Sequence, residues 1–189
     1  MTSVAADDLD ADIVEQLRKL NRPEELLFSA MVTFSEEVAD LSVAVALQWT
    51  NGETGHISSY ANDSPTTRGG AHVEGFSRAL TEAVKAYAIA SGLVGSAGDI
   101  LLGDDIRQGL TAIIRTHCDD PWFEPIHDDG INGRKLGTVK MREFVYWTTR
   151  PRLSSWLEEH PTEANLIVQR AISAAHDRVS DSAQRGQSR

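Results

Sequence analysis

Three glycines and two adjacent cations stand together in DGINGRKLG, residues 129–137. Glycine backbones can turn successive N–H groups toward an anion, and Arg134 and Lys135 supply positive charge, so the chemistry on offer is phosphate binding. The spacing carries it no further. A P-loop separates its two glycines by four residues and follows the second with Lys and then Ser or Thr. Here Gly130 and Gly133 stand closer together, and Leu136 follows Lys135. Gly130, Gly133 and Gly137 also miss the dinucleotide-binding pattern. On local pattern the loop reads as a surface turn with two solvated cations.

The other reactive side chains are scattered. In Gly69-Gly70-Ala71-His72 the glycines allow an unusual turn and His72 opens a helix. A general base would need a partner and a substrate within about 3 Å, neither of which the sequence supplies, so the motif reads as structural. His56, His117, His127, His160 and His176 share no metal-ligand spacing, and Cys118 is the single cysteine, so no metal site is expected. Cys118 has no catalytic partner at a recognisable spacing and reads as an inert thiol. Asp128-Asp129 beside His127 reads as a solvated loop.

Elements of fixed period must position these residues. Ile13, Leu17 and Leu20 form a helical stripe ended by Pro23. In LSVAVALQW, Leu41, Val43, Val45, Leu47 and Trp49 alternate with smaller or polar residues, which predicts a strand. TNGETG turns the chain and HISSYAN returns, which predicts a hairpin. HVEGFSRALTEAVKAYAIAS carries Val73, Phe76, Leu80, Val84 and Tyr87 on one helical face. LLGDDIRQGLTAIIRTH starts as a helix at Asp104 and Asp105, with Ile106, Leu110 and Ile113 on its face, and ends as a strand. MREFVYW fits helix and strand equally, whereas RLSSWLEEH reads as helix. Pro161 sits at the first position of a further helix, along which Ala164, Val168, Ala171, Ile172, Ala175 and Val179 make a seam of small and branched residues. Trp49 reads as core, and Trp122, Trp147 and Trp156 as core or contact residues.

The layout is α+β, with helices packed on an antiparallel or mixed sheet. The expected division is a flexible acidic N-terminus over 1–11, a domain over 12–150, C-terminal helices over 151–179 and a disordered tail over 180–189. The 189 residues carry a net charge of −10. Residues 1–129 hold 8 Lys and Arg against 22 Asp and Glu, and residues 130–189 hold 10 against 6. An acidic body argues against a general DNA-binding surface, because neutralised phosphates supply most non-specific affinity. Direct DNA binding is therefore expected to be weak or absent. No apolar run approaches the ~20 residues of a membrane span, and MTSVAADDLDAD lacks a signal-peptide pattern. A cytoplasmic protein follows from these features.

Several stretches gain meaning from their order: VAVALQWTNGETG, TTRGGAHVEGFSRALTEAVKAYA, GDDIRQGLTAII, DPWFE, KLG and WLEEHPTEANLIVQRAISAAHDR. Together they resemble the second, transducer domain of the DNA gyrase B (type IIA topoisomerase) family, from Asp12 to Arg178. The resemblance implies a fold like ribosomal protein S5 domain 2: a two-layer arrangement with helices on one sheet face and a C-terminal helical extension. It also implies that such a domain links a nucleotide-binding ATPase domain to a DNA-cleaving part, and that Gly69, Gly70 and His72 match the family's Gly-Gly-Thr-His. The family's Gln-Thr-Lys, whose lysine reaches the γ-phosphate of ATP, falls on Ile131, Asn132 and Gly133. The lysine is missing there. The loop is also longer than the family's, and only a shifted register would let Arg134 or Lys135 replace it.

These features imply a protein that is not an enzyme on its own and uses no cofactor. It is expected to be a natural stand-alone relative lacking the ATPase and cleavage domains, acting by association with a second copy or with gyrase or topoisomerase subunits. Val168, Ala171, Ile172, Ala175 and Val179 are its candidate interface. Two alternatives stand beside it: one piece of a split ATP-dependent topoisomerase, or a scaffold recruited to bind an unrelated ligand.

Overall fold

The computed structural model describes residues 6–22, 25–95, 101–124 and 134–187. Its elements are α1 (Ala6–Leu20), β1 (Val32–Val38), β2 (Leu41–Trp49), β3 (His56–Ala61), β4 (Ser64–Pro65), α2 (Ala71–Ala90), α3 (Gly103–Arg107), β5 (Leu110–Cys118), α4 (Val139–Glu159) and α5 (Pro161–Gln187). One mixed five-stranded sheet runs in the order β1-β2-β5-β3-β4. The α+β class is as expected.

The predicted hairpin of β2 with β3 does not form. Strand β5 lies between them, antiparallel to β2 and parallel to β3. The central slot needs a strand that is apolar on both faces. β5 meets that need, burying Leu110, Ala112 and Ile114 on one side and Ile113 on the other, whereas β3 carries His56 and Ser58. The parallel β3–β5 pair in turn requires a long crossover, which α2 and α3 provide. Leu110 and Ile113, read as part of a helical face, therefore belong to the strand. β2's true hairpin partner is β1, paired one-to-one from Val32–Leu47 to Val38–Leu41.

Helices cover both sheet faces, a correction to the expectation of helices on one. Val43, Val45, Leu47 and Trp49 of β2 face a large core that includes Phe76 and Leu80 of α2, Val145 and Leu153 of α4, and Val168 and Ala171 of α5. On the opposite face Ile13 and Leu17 of α1 close over Ala44, Ala46 and Ile113. The small side chains at 44 and 46 let a helix lie close to the strand.

The segment left open between helix and strand lies in the continuous helix α4, where Met141, Val145, Thr149, Leu153 and Leu157 recur every fourth residue and are all buried. α4 packs closely on α2 because Gly75 has no side chain; a Cβ there would stand 2.3 Å from the Arg142 carbonyl oxygen. At the chain ends, α1 includes residues 6–11 and α5 continues through residues 180–187, segments expected to be flexible or disordered. No proline interrupts residues 180–187, and Ser182 donates to the Arg178 carbonyl one turn back at 2.6 Å. No described helix is long and apolar enough to cross a membrane.

Candidate functional site

The two glycine-bearing motifs are far apart in sequence and meet in space. Residues 122–124 and 135–138 lie antiparallel: the Glu124 amide donates to the Lys135 carbonyl at 2.9 Å, the Gly137 amide to the Trp122 carbonyl at 2.9 Å, and the Trp122 amide to Thr138 Oγ1 at 2.9 Å. On the other side of residues 134–136 runs the turn before α2. Here the Arg68 amide donates to the Arg134 carbonyl at 3.2 Å, the Leu136 amide to the Gly69 carbonyl at 3.1 Å, and the Ala71 amide to the Leu136 carbonyl at 2.7 Å. The result is a three-stranded neck made of residues 68–71, 122–124 and 134–138.

The neck explains the glycines. Gly69 has φ 65° and Gly70 φ 132°, and a Cβ at Gly70 would stand 2.3 Å from the Leu136 carbonyl oxygen. Only glycine meets both demands, a left-handed backbone and a contact with no room for a side chain. His72 is fully buried beneath the turn, its Nε2 3.0 Å from Thr66 Oγ1, which in turn lies 2.6 Å from Ser59 Oγ. Burial lowers the His72 pKa from 6.5 to about 4, so the ring is neutral at neutral pH. Its Nδ1 has no hydrogen-bond partner among the described residues. His72 thus ties the start of α2 to β3 through the hydroxyls of Thr66 and Ser59.

Both cations of the loop are engaged within the chain. Lys135 Nζ donates to Glu124 Oε2 at 2.9 Å, and this hydrogen bond raises its pKa. Arg134 donates to Ser64 Oγ at 3.0 Å and lies over the Phe123 ring, 5.5 Å from its centroid. Ile131, Asn132 and Gly133 lie outside the described residues, as do His127, Asp128 and Asp129.

The seam on α5 divides. Val168, Ala171 and Ala175 are buried in the chain's own core, Ile172 is half-buried, and Val179 is exposed. α5 is also held by an ion pair that sequence reading missed, because Asp105 was legible only as a helix-start residue. Arg178 grips the Asp105 carboxylate with Nε at 3.0 Å and Nη2 at 2.9 Å, and the Leu102 amide donates to the same carboxylate at 2.7 Å. Burial alone would raise the Asp105 pKa; the Arg178 and Leu102 hydrogen bonds outweigh it and hold the carboxyl below its usual value. The thiol of Cys118 is buried and its pKa raised by that burial. Trp49 is core, Trp156 is half-buried against Phe28 and His160, and Trp122 and Trp147 are exposed. Among the described residues no three His, Cys, Asp or Glu side chains gather as metal ligands.

A mixed five-stranded sheet with helices on both faces is an architecture this chain shares with a solved gyrase B ATPase domain. The family model for DNA gyrase B matches residues 12–187, and the chain belongs to that family. It is 39% identical over 173 residues to the DNA gyrase B of Streptomyces coelicolor and 35% identical over 167 residues to that of Mycobacterium tuberculosis. These matches take in 90% and 88% of this chain but 24% of each relative, so the chain spans about a quarter of their length. Among solved structures, the 43K ATPase domain of Thermus thermophilus gyrase B superposes with a TM-score of 0.81 at 28% identity, covering 93% of this chain and 46% of that one. The gyrase B protein of Myxococcus xanthus gives a TM-score of 0.66 at 27% identity, covering 82% and 42%.

These findings correct the expected function. A non-catalytic protein acting by association, separate from any ATPase domain, does not fit a chain whose fold lies within a structure described as the gyrase B ATPase domain. The family resemblance stands; the separation from the ATPase region does not.

Proposed function

We propose that this chain is a working portion of the ATPase region of a gyrase-B-type, ATP-dependent topoisomerase. The observation that carries the reading is the fit inside the Thermus ATPase domain, at a TM-score of 0.81 with 93% of this chain superposed. ATP turnover on this reading belongs to the region as a whole, of which the chain matches 46%. Its partners are then the other parts of a topoisomerase. Contact with a second chain through α5 falls to Val179 and the half-buried Ile172, because Val168, Ala171 and Ala175 already fill the core.

The neck has a positioning role. Its backbone hydrogen bonds hold residues 122–124, 134–138 and the turn before α2 together, while Glu124 and Ser64 occupy the two cations. On this reading Lys135 serves the neck through Glu124 rather than the nucleotide.

The test is to replace the matching segment of Streptomyces coelicolor gyrase B with this chain and to follow ATP-dependent change in DNA topology. A hybrid that keeps the ATP requirement is the expected result; a folded but inert hybrid contradicts the reading. In that hybrid Lys135→Ala should leave the KM for ATP within about twofold, because the ammonium is spent on Glu124. A rise of about tenfold would show instead that Lys135 reaches ATP.

A further inference from the structure

Strand β1 ends the sheet, and among the described residues no strand pairs with its outer side. Natural proteins usually blunt such an edge with a bulge, a proline or inward charges, because a row of open N–H and C=O groups templates pairing with another chain. β1 has no bulge, its register with β2 being one-to-one over seven residues, and Val32-Thr33-Phe34-Ser35 carries no charge. Seven residues give an open edge of about 23 Å.

A groove runs beside this edge. It lies between β1 and α4 and is lined by Val32, Phe34, Pro151, Arg152, Trp156 and Glu159. Trp156 is fixed in place, its ring stacked on His160 with centroids 4.5 Å apart and tilted against Phe28 at 6.2 Å. An aromatic wall already ordered can receive an apolar side chain at little entropic cost. Arg152 is neutralised by its ion pair with Glu36. The charges left over at the edge and groove are Glu37 and Glu159, both exposed and neither in an ion pair among the described residues.

We propose that the outer edge of β1 takes up an extended peptide segment of a partner chain as an added strand, with an apolar side chain of that segment in the groove and lysine or arginine side chains against Glu37 and Glu159. Strand addition supplies affinity through main-chain hydrogen bonds, and alternate side chains supply selectivity. The charge pattern selects the occupant. A second copy of β1 would bring a second Glu37 onto an edge where, among the described residues, Glu37 and Glu159 are already unpaired, and like charges facing each other across strands are unfavourable.

The probe is a synthetic peptide, acetyl-Lys-Thr-Val-Thr-Val-Lys-Thr-amide, whose first lysine shares a strand face with the valines, toward Glu159, and whose second lies on the opposite face, toward Glu37. It is titrated into the isotope-labelled full chain and followed by amide and indole shifts in nuclear magnetic resonance. Saturable shifts over residues 32–38 and at the Trp156 indole are expected. The double variant Glu37→Lys, Glu159→Lys should weaken binding by on the order of tenfold and take up the matching peptide with Glu in place of Lys. Exposed charge reversals of this kind leave the core intact, so folding is preserved. A peptide N-methylated at alternate amides should not bind. Three outcomes overturn the proposal: no shifts over residues 32–38 at millimolar peptide, undiminished binding of the N-methylated peptide, or self-association of the chain through β1 seen by sedimentation.

Discussion

The two faces of β2 are built on different scales. One presents Val43, Val45, Leu47 and Trp49 to three long helices; the other presents Ala44 and Ala46 to the single helix α1. Large side chains bury area and so dominate stability, while small ones set how near a helix can lie. The deep face is built to hold the sheet together, and the shallow face to seat one element closely.

The largest effect expected from this contrast is at Trp49, which is 1% exposed and donates its indole N–H to the Ile106 carbonyl at 3.3 Å. Trp49→Ala should destabilise the chain by about 3–5 kcal/mol in denaturant unfolding. A loss below about 1 kcal/mol would mean that the deep face does not dominate.

Acid probes the same side of the sheet through His72. Its folded pKa of about 4 lies below the ordinary 6.5, so the unfolded chain binds the extra proton between those values. Stability from this group is complete above pH 6.5, falls as pH drops toward 4, and levels below. The whole window is worth about 3 kcal/mol. His72→Asn should flatten that part of the stability profile, and an unchanged slope in the variant would assign the acid sensitivity elsewhere.

The shallow face should respond to excess volume instead. Ala46 is fully buried under α1, and Ala46→Leu should cost about 1–3 kcal/mol by forcing the helix outward. Amide exchange in α1 should rise more than in α2; equal rises would show that α1 is no separate layer. The smallest change is expected at the rim, where Arg115 pairs with the half-exposed Asp12 at 2.6 Å. Asp12→Ala should cost no more than about 1 kcal/mol, measured by thermal unfolding.

The contrast also explains what could be read from the sequence. β2 was legible because its large residues alternate over nine positions, and α2 because its apolar residues keep a helical period. The second helical layer was not, because Ala44 and Ala46 look the same whether they face water or a helix. β1 escaped notice since Glu36-Glu37 break its alternation after Phe34. The hairpin error has a related cause: adjacency along the chain suggested β2 with β3, and only the two-sided burial of β5 shows which strand takes the centre.

At the candidate site, Gly69, Gly70 and His72 were read from the sequence as a turn at the start of a helix, and they stand before and within the first turn of α2. Their partner Leu136 was not legible, because the bond between them is backbone to backbone and leaves no mark on residue type. Lys135 was legible as a cation, but its engagement by Glu124 depends on the neck bringing the two strands together.

The account rests on the chain being part of an ATPase region, and steady-state ATP turnover tests that most directly. The protein to measure joins this chain to the remainder of the Thermus thermophilus gyrase B ATPase domain in one polypeptide that unfolds cooperatively. Turnover above that of either part alone is predicted. Turnover no higher than that of the parts, in a hybrid shown to be folded, would contradict the account.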